Sequence, residues 1–269
     1  MGDKKQMLLV LGALCIALVS AAQAGEPDLY RTMPRIQARS VDGAYISLYG
    51  GVGWARLSLN KRSTNVTLVE PLVTNRYDFS HASRSASVVG LQYGYIWRHL
   101  KGRMVNLSLG VETGYTSVLS PYGRVRPLYL INPGFDTLDF RYAVSSVPLL
   151  VVSMLQFPLS SWIPYVLGGV GVSWNRGNDY QEIPTNPDAT ALPMRSPFRP
   201  HTIVGFAYML GAGLSYALSA HTYLGIEYRF TSYGKAELAP STQQATNNPL
   251  SLGTTASHAL LLRLGVCLG

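Results

Sequence analysis

Charge is scarce in this chain of 269 residues: Asp, Glu, Lys and Arg make up 13% of it, about half of what a soluble domain carries. Cysteine is scarcer. Of the two present, Cys15 falls inside an apolar leader expected to be removed, so Cys267 is left without an intramolecular partner. No stretch supplies the run of about 18 apolar residues that a transmembrane helix requires. The richest, residues 144–155, is broken by Ser145, Ser146, Pro148 and Ser153. The formal net charge is +8, yet basic residues never run beyond pairs. That argues against a nucleic-acid partner and leaves anionic lipid or surface polysaccharide as the counterpart.

Catalytic sets are missing too. His81, His99, His201, His221 and His258 share no metal-ligand spacing with Cys, Asp or Glu. The pair in His81-Ala82-Ser83 has no carboxylate nearby to orient it. Gly50-Gly51-x-Gly53 and Gly168-Gly169-x-Gly171 lack both the Lys-Ser/Thr ending and the following helix of a phosphate loop. We therefore expect no catalytic residues, no metal and no cofactor.

What is present begins with a leader. Lys4 and Lys5 precede an apolar run at residues 7–19, and Ala22-Gln23-Ala24 is a small-x-small cleavage site. The expected organisation is a signal peptide at 1–24, a periplasmic N-terminal segment at 25–41, and a folded domain at 42–269.

Within that domain the apolar residues alternate with period two, the signature of strands with two different faces. Eight segments qualify: 42–55, 85–97, 104–116, 142–156, 163–174, 204–218, 221–231 and 257–268. Each reaches the length of about 9–11 residues that a membrane-crossing strand needs. Their links alternate between short (98–103, 157–162, 219–220) and long (56–84, 117–141, 175–203, 232–256). A soluble barrel has no reason to sort its loops by side, whereas a membrane barrel does. The prediction is an all-β fold: a closed antiparallel eight-stranded transmembrane β-barrel with long extracellular loops and short periplasmic turns.

Size and charge assign the faces. Eight strands leave a bore only wide enough for side chains, so faces of Gly, Ala and Ser with a few ionised groups should point inward and rows of Leu, Val, Phe and Tyr should meet lipid. This puts Gln92, Glu112, Glu227, Arg229 and Arg263 together inside. A lone buried charge costs several kcal/mol, so these groups should be paired, either as a filling of the bore or as the gate of a narrow pore. Trp54 and Trp174 fall at the predicted outer strand ends, and Trp97 and Trp162 at the periplasmic ends, as an interfacial aromatic belt would. Pro148 removes a ladder donor from a strand with no free edge, so a bulge is expected there. The first long link is the most basic, with Arg56, Lys61, Arg62, Arg76 and Arg84, and is a candidate for contact with lipopolysaccharide phosphates or anionic host glycans.

Segment 208–230 reads Tyr-Met-Leu-Gly-Ala-Gly-Leu-Ser-Tyr-Ala-Leu-Ser-Ala-His-Thr-Tyr-Leu-Gly-Ile-Glu-Tyr-Arg-Phe and is followed by Tyr233-Gly234-Lys235-Ala236 and His258-Ala259-Leu260-Leu261. With Pro164-Tyr165-Val166 leading into Gly168-Gly169-Val170-Gly171, it resembles the opacity-type surface antigens and the wider family of small, porin-like outer-membrane β-barrels. The resemblance implies an eight-stranded barrel with variable outer loops, concerned with surface contact or adhesion, and carries over no catalytic residue. It also implies recognition by the barrel-assembly machinery through an aromatic C-terminal residue, whereas this chain ends Cys267-Leu268-Gly269. The expected function is that of a non-enzymatic outer-membrane scaffold whose loops serve adhesion or envelope contact. Its expected partners are outer-membrane lipid, lipopolysaccharide and host surface or extracellular glycans. The alternatives are a narrow channel for small solutes and a lipid-A-modifying enzyme.

Overall fold

Alternation of apolar and small residues becomes pairing in space: every long strand lies antiparallel between two neighbours. The computed structural model describes residues 42–58, 62–66, 74–79, 83–97, 105–118, 122–126, 137–185, 198–240 and 248–268. The expected signal peptide and periplasmic segment at 1–41 lie outside them, as do Lys61, His81 and His99. The strands are β1 (Gly43–Ser58), β2 (Arg62–Val66), β3 (Thr74–Phe79), β4 (Ser83–Trp97), β5 (Asn106–Val118), β6 (Tyr122–Arg126), β7 (Leu138–Gln156), β8 (Trp162–Pro184), β9 (Phe198–Arg199), β10 (His201–Ala217), β11 (Thr222–Pro240) and β12 (Leu250–Cys267). Eight of them form a ring, β1-β4-β5-β7-β8-β10-β11-β12, which closes where β12 pairs back onto β1 from Tyr45↔Cys267 to Ser58↔Thr254. The fold is thus a closed eight-stranded antiparallel barrel.

The outward face is apolar over a limited height. On β8 it runs from Trp162 through Val166, Val170 and Val172 to Trp174, all exposed, and Arg176 follows at the next outward position. At about 3.3 Å per residue that stretch is about 40 Å long, and a tilt of about 45° projects it onto about 28 Å, close to the lipid-facing band of about 25 Å that such barrels present. On β1 the sequence repeats itself: Leu48, Val52 and Trp54 are exposed and Arg56 comes next. Trp97 closes β4 and Trp162 opens β8 at the short-turn end. Trp54 and Trp174 are not at strand ends, as the sequence suggested. They mark where the apolar band stops while the strands continue.

That continuation is the main departure from the predicted layout. Within the described residues the long links carry strands: the first contains β2 and β3, the second β6, the third β9, and β7, β8, β11 and β12 all reach beyond their predicted bounds. Beyond the band the outward face meets water and needs no apolar pattern, so only the inward face keeps the period. Tyr77, Phe79, Phe140, Tyr142, Tyr180 and Phe198 converge there with Leu138, Val144, Leu238, Leu250 and Leu252 into a buried core. Phe140 packs edge-on to Phe79 at 5.3 Å and stacks on Tyr180 at 5.6 Å, and Phe198 of β9 lies 5.1 Å from Tyr180. The long-loop end therefore carries its own aromatic cap.

Two glycines connect the cap to the barrel. The β11–β12 register shifts between Ser232 and Gly234 and again between Lys235 and Glu237. Gly234 and Gly253 hold φ of 84° and 76°, backbone that favours glycine. Each strand gains one residue at its bulge, so pairing resumes in step, but the buried positions change from Thr231, Ser257 and Ala259 to Ala236, Leu238, Leu250 and Leu252. At Pro148 there is no bulge, contrary to expectation. The β5–β7 register is the same on both sides, Thr113↔Leu149 and Thr116↔Ser146, with Gly114 and Tyr115 left unpaired between them. The missing donor is tolerated as a gap, which Thr113 Oγ1 partly bridges by donating to Pro148 O at 3.0 Å.

Inside, large and small residues interlock. Tyr49 lies opposite Gly90, Tyr45 opposite Gly94, Tyr165 opposite Gly213 and Tyr223 opposite Gly265. A Cβ on Gly265 would sit 1.9 Å from Tyr223 Cζ, whereas one on Gly168 would find nothing nearer than 3.4 Å. Gly265→Ala should therefore cost about 1–3 kcal/mol through overpacking, seen as a lower urea midpoint in lipid vesicles, with Gly168→Ala unchanged. Tyr142 Oη in the cap is buried without a hydrogen-bond partner, and its desolvation pushes the phenol pKa up. Removing the stranded hydroxyl as Tyr142→Phe should raise stability by about 1–2 kcal/mol in the same assay.

Candidate functional site

The barrel interior below the cap is where charge is concentrated. Glu112 stands on β5, Glu227 and Arg229 on β11, Arg263 on β12 and Gln92 on β4, each at an inward position and each 3% exposed or less. Inward alternation brings all five together. Arg229 grips Glu112 with two nitrogens, Nη1 to Oε1 at 2.6 Å and Nη2 to Oε2 at 3.2 Å, and turns its Nε to Glu227 Oε1 at 2.6 Å. Arg263 donates Nε to Glu227 Oε2 at 2.9 Å and Nη1 to Ser47 Oγ at 2.9 Å and to Gln92 Oε1. Two carboxylates and two guanidiniums are thus neutralised within one chain of contacts.

Tyrosines complete the cluster, and sequence reasoning placed this residue type on the lipid face. Tyr49 Oη donates to Glu112 Oε1 at 2.9 Å, Tyr165 Oη to Glu227 Oε2 at 3.1 Å, and Gln92 Nε2 to Tyr45 Oη at 2.7 Å. The Arg229 guanidinium also lies 4.3 Å above the Tyr49 ring, within cation–π range. The signal was available in β1, where Tyr45, Ser47, Tyr49, Gly51, Gly53 and Ala55 alternate against Ile46, Leu48, Val52 and Trp54. Tyr93, Tyr95, Tyr115, Tyr208 and Tyr216 do face outward. The interior also has an aliphatic wall on β7, β8 and β10, formed by Leu150, Val152, Met154, Leu167 and Met209, so it is not lined by small and charged residues alone. Beside the cluster is a cavity of about 10 Å³ next to Glu112, Thr116, Pro148 and Arg229, room for about one water molecule.

The basic set of the first long link is divided. Arg76 is engaged with Asp78 at 3.0 Å, and Arg126 approaches the same carboxylate at 3.7 Å. Arg62 lies across the β2–β3 ladder from Asp78, and Arg84 across from Ala55. Lys61 lies outside the described residues. Arg56 stands apart on the outer wall, exposed. Among the described residues no group of three His, Cys, Asp or Glu side chains is placed to hold a metal ion.

Removing one buried partner while keeping the others leaves a charge that water cannot reach. Glu227→Gln, which leaves two guanidiniums for one carboxylate, should lose about 3–5 kcal/mol in vesicle unfolding. Adding Arg263→Gln should recover part of the loss, because the two effects are coupled.

The family described as "Outer membrane protein beta-barrel domain" matches residues 11–257. No curated protein matches the chain. Similar solved structures include Neisserial surface protein A, at 12% identity over 85% of this chain and 99% of that one, with a TM-score of 0.45. The outer membrane protein OprG of Pseudomonas aeruginosa shares 16% identity over 84% and 96%, with a TM-score of 0.40. The outer membrane protease OmpT of Escherichia coli shares 11% over 84% and 96%, with a TM-score of 0.37.

Proposed function

The chain belongs to the outer membrane protein beta-barrel domain family, and on that premise we propose that it is a non-enzymatic surface scaffold whose long-loop end, facing outward, serves adhesion or envelope contact. The observation that carries this reading is the division of the interior. The lumen holds a neutralised ion cluster at mid-height and an aromatic core toward the long-loop end. Both fill the bore with side chains, which favours a structural filling over a solute path. The strands that extend past the Trp54 and Trp174 level, with β2, β3, β6 and β9 laid against them, provide a folded platform beyond the lipid. Loops presented on a stable scaffold are where partner recognition concentrates.

The leader at 1–24 would direct export, the barrel-assembly machinery would insert the domain, and outer-membrane lipid would surround the apolar band. The partner at the platform would be a host surface or extracellular glycan.

Cells displaying the intact protein should bind such a surface, and deletion of the β2–β3 hairpin, residues 62–79, should abolish binding while the barrel keeps its heat-modifiable gel migration. Undiminished binding by the deletion variant would overturn the reading. Planar-bilayer current above leak that changes on Glu227→Gln would favour a narrow channel instead.

A further inference from the structure

The outer wall carries a polar group that neither the interior cluster nor the cap uses. On β1, β12 and β11, one row of outward positions reads Trp54, His258 and Phe230, each directly opposite the next. Diagonal to His258 on one side is Tyr228, whose Oη is 2.7 Å from His258 Nδ1. Arg56 is diagonal on the other side, close enough to act electrostatically on both Tyr228 and His258. Phe230 packs 5.0 Å from the imidazole. Below the row the outward residues are Val52, Leu260, Leu262 and Ile226, each more than half exposed. The group thus sits on the upper edge of the lipid-facing band.

Its polar valences are open. The 2.7 Å contact joins the Tyr228 hydroxyl to Nδ1 in either tautomer, and no described residue is hydrogen-bonded to Nε2. Among the described residues Arg56 has no carboxylate partner, unlike Arg76 and Arg124, which are held by Asp78 and Asp139. Arg176, the outward arginine that follows Trp174, is also without a carboxylate among the described residues. The residues diagonal to it, opposite Trp174 on the two neighbouring strands, are Val147 and Val204, whereas the residue diagonal to Arg56, opposite Trp54, is His258.

The geometry points to Arg56 and His258, flanked by Trp54, as a binding site on the barrel wall for the phosphate of an outer-leaflet phosphorylated glycolipid. A guanidinium and an imidazole stand diagonal to one another on adjacent strands, and an arginine with a ring N–H beside it is the chemistry that recognises phosphate. The ring offers that N–H at Nε2 when Tyr228 donates to Nδ1 or when the imidazole is protonated. An exposed indole beside them offers an apolar face to the sugar ring, and the aliphatic positions directly below receive acyl chains. A glycerophospholipid would use the arginine but leave the indole face unused. This site rests on placement in an outer membrane and not on the adhesion reading, so either can fail alone.

The test uses the full-length protein refolded in detergent, with bound lipid counted by native mass spectrometry against three probes: bis-phosphorylated lipid A, the same lipid dephosphorylated, and phosphatidylglycerol. The protein should retain the phosphorylated lipid A. Arg56→Gln, His258→Ala and dephosphorylation should each weaken retention about tenfold, the worth of one charge-assisted hydrogen bond, while Arg176→Gln leaves it unchanged. Arg56 is exposed and has no carboxylate partner among the described residues, so its variant tests the site without risk to the fold. Equal loss with Arg176→Gln, no loss with Arg56→Gln, or equal retention of phosphatidylglycerol would each overturn the assignment.

Discussion

Hydrocarbon supplies no hydrogen bonds, so every strand that enters it must find a neighbour on both sides. Here the last strand finds the first, and the fourteen-pair ladder from Tyr45↔Cys267 to Ser58↔Thr254 turns a sheet into a cylinder. Everything else follows from that closure. With eight strands closed the bore is fixed, and the bore decides which side chains can lie within it. Even the tolerance of Pro148 depends on it. One absent donor is a small loss in a wall whose other strand pairs are continuous through the same level.

Within the cylinder, volume and charge are settled by the same residues. The tyrosines that fill the space over Gly90, Gly94 and Gly213 are those whose hydroxyls reach Glu112, Gln92 and Glu227. The glycines leave the space that the rings occupy, and two of the rings, Tyr49 and Tyr165, also supply donors to buried carboxylates, while Tyr45 accepts from Gln92. The aliphatic wall of Leu150, Val152 and Met209 occupies β7, β8 and β10, and the ionised groups stand on β5, β11 and β12.

How much of this was legible depended on which constraint governed each segment. The eight spanning strands were readable because lipid forces one face to be apolar, as in Leu109–Val111 against Ser108–Gly110–Glu112. The five interior polar residues were readable by parity alone. The inward tyrosines were missed because Tyr is at home on either face, and only β1 shows the alternation plainly. The cap was missed for a physical reason. In segment 175–184, Asn175, Gly177, Asn178 and Pro184 read as loop residues, yet ladder pairing to β7 and burial of Tyr180 hold them in a strand. The pairing of Tyr228 with His258 joins residues far apart in sequence, and no local pattern announces it.

The paired bulges at Gly234 and Gly253 have a consequence for how the chain can change. They act as a phase boundary: below it odd-numbered positions of β11 and β12 face the axis, above it even-numbered ones do. The two storeys therefore obey separate alternation rules, and the boundary between them already absorbs an extra residue on each strand. Lengthening or rewriting the upper storey need not disturb the phase of the lower one. Diversity on the outward side can accumulate while the part that lives in lipid keeps its pattern.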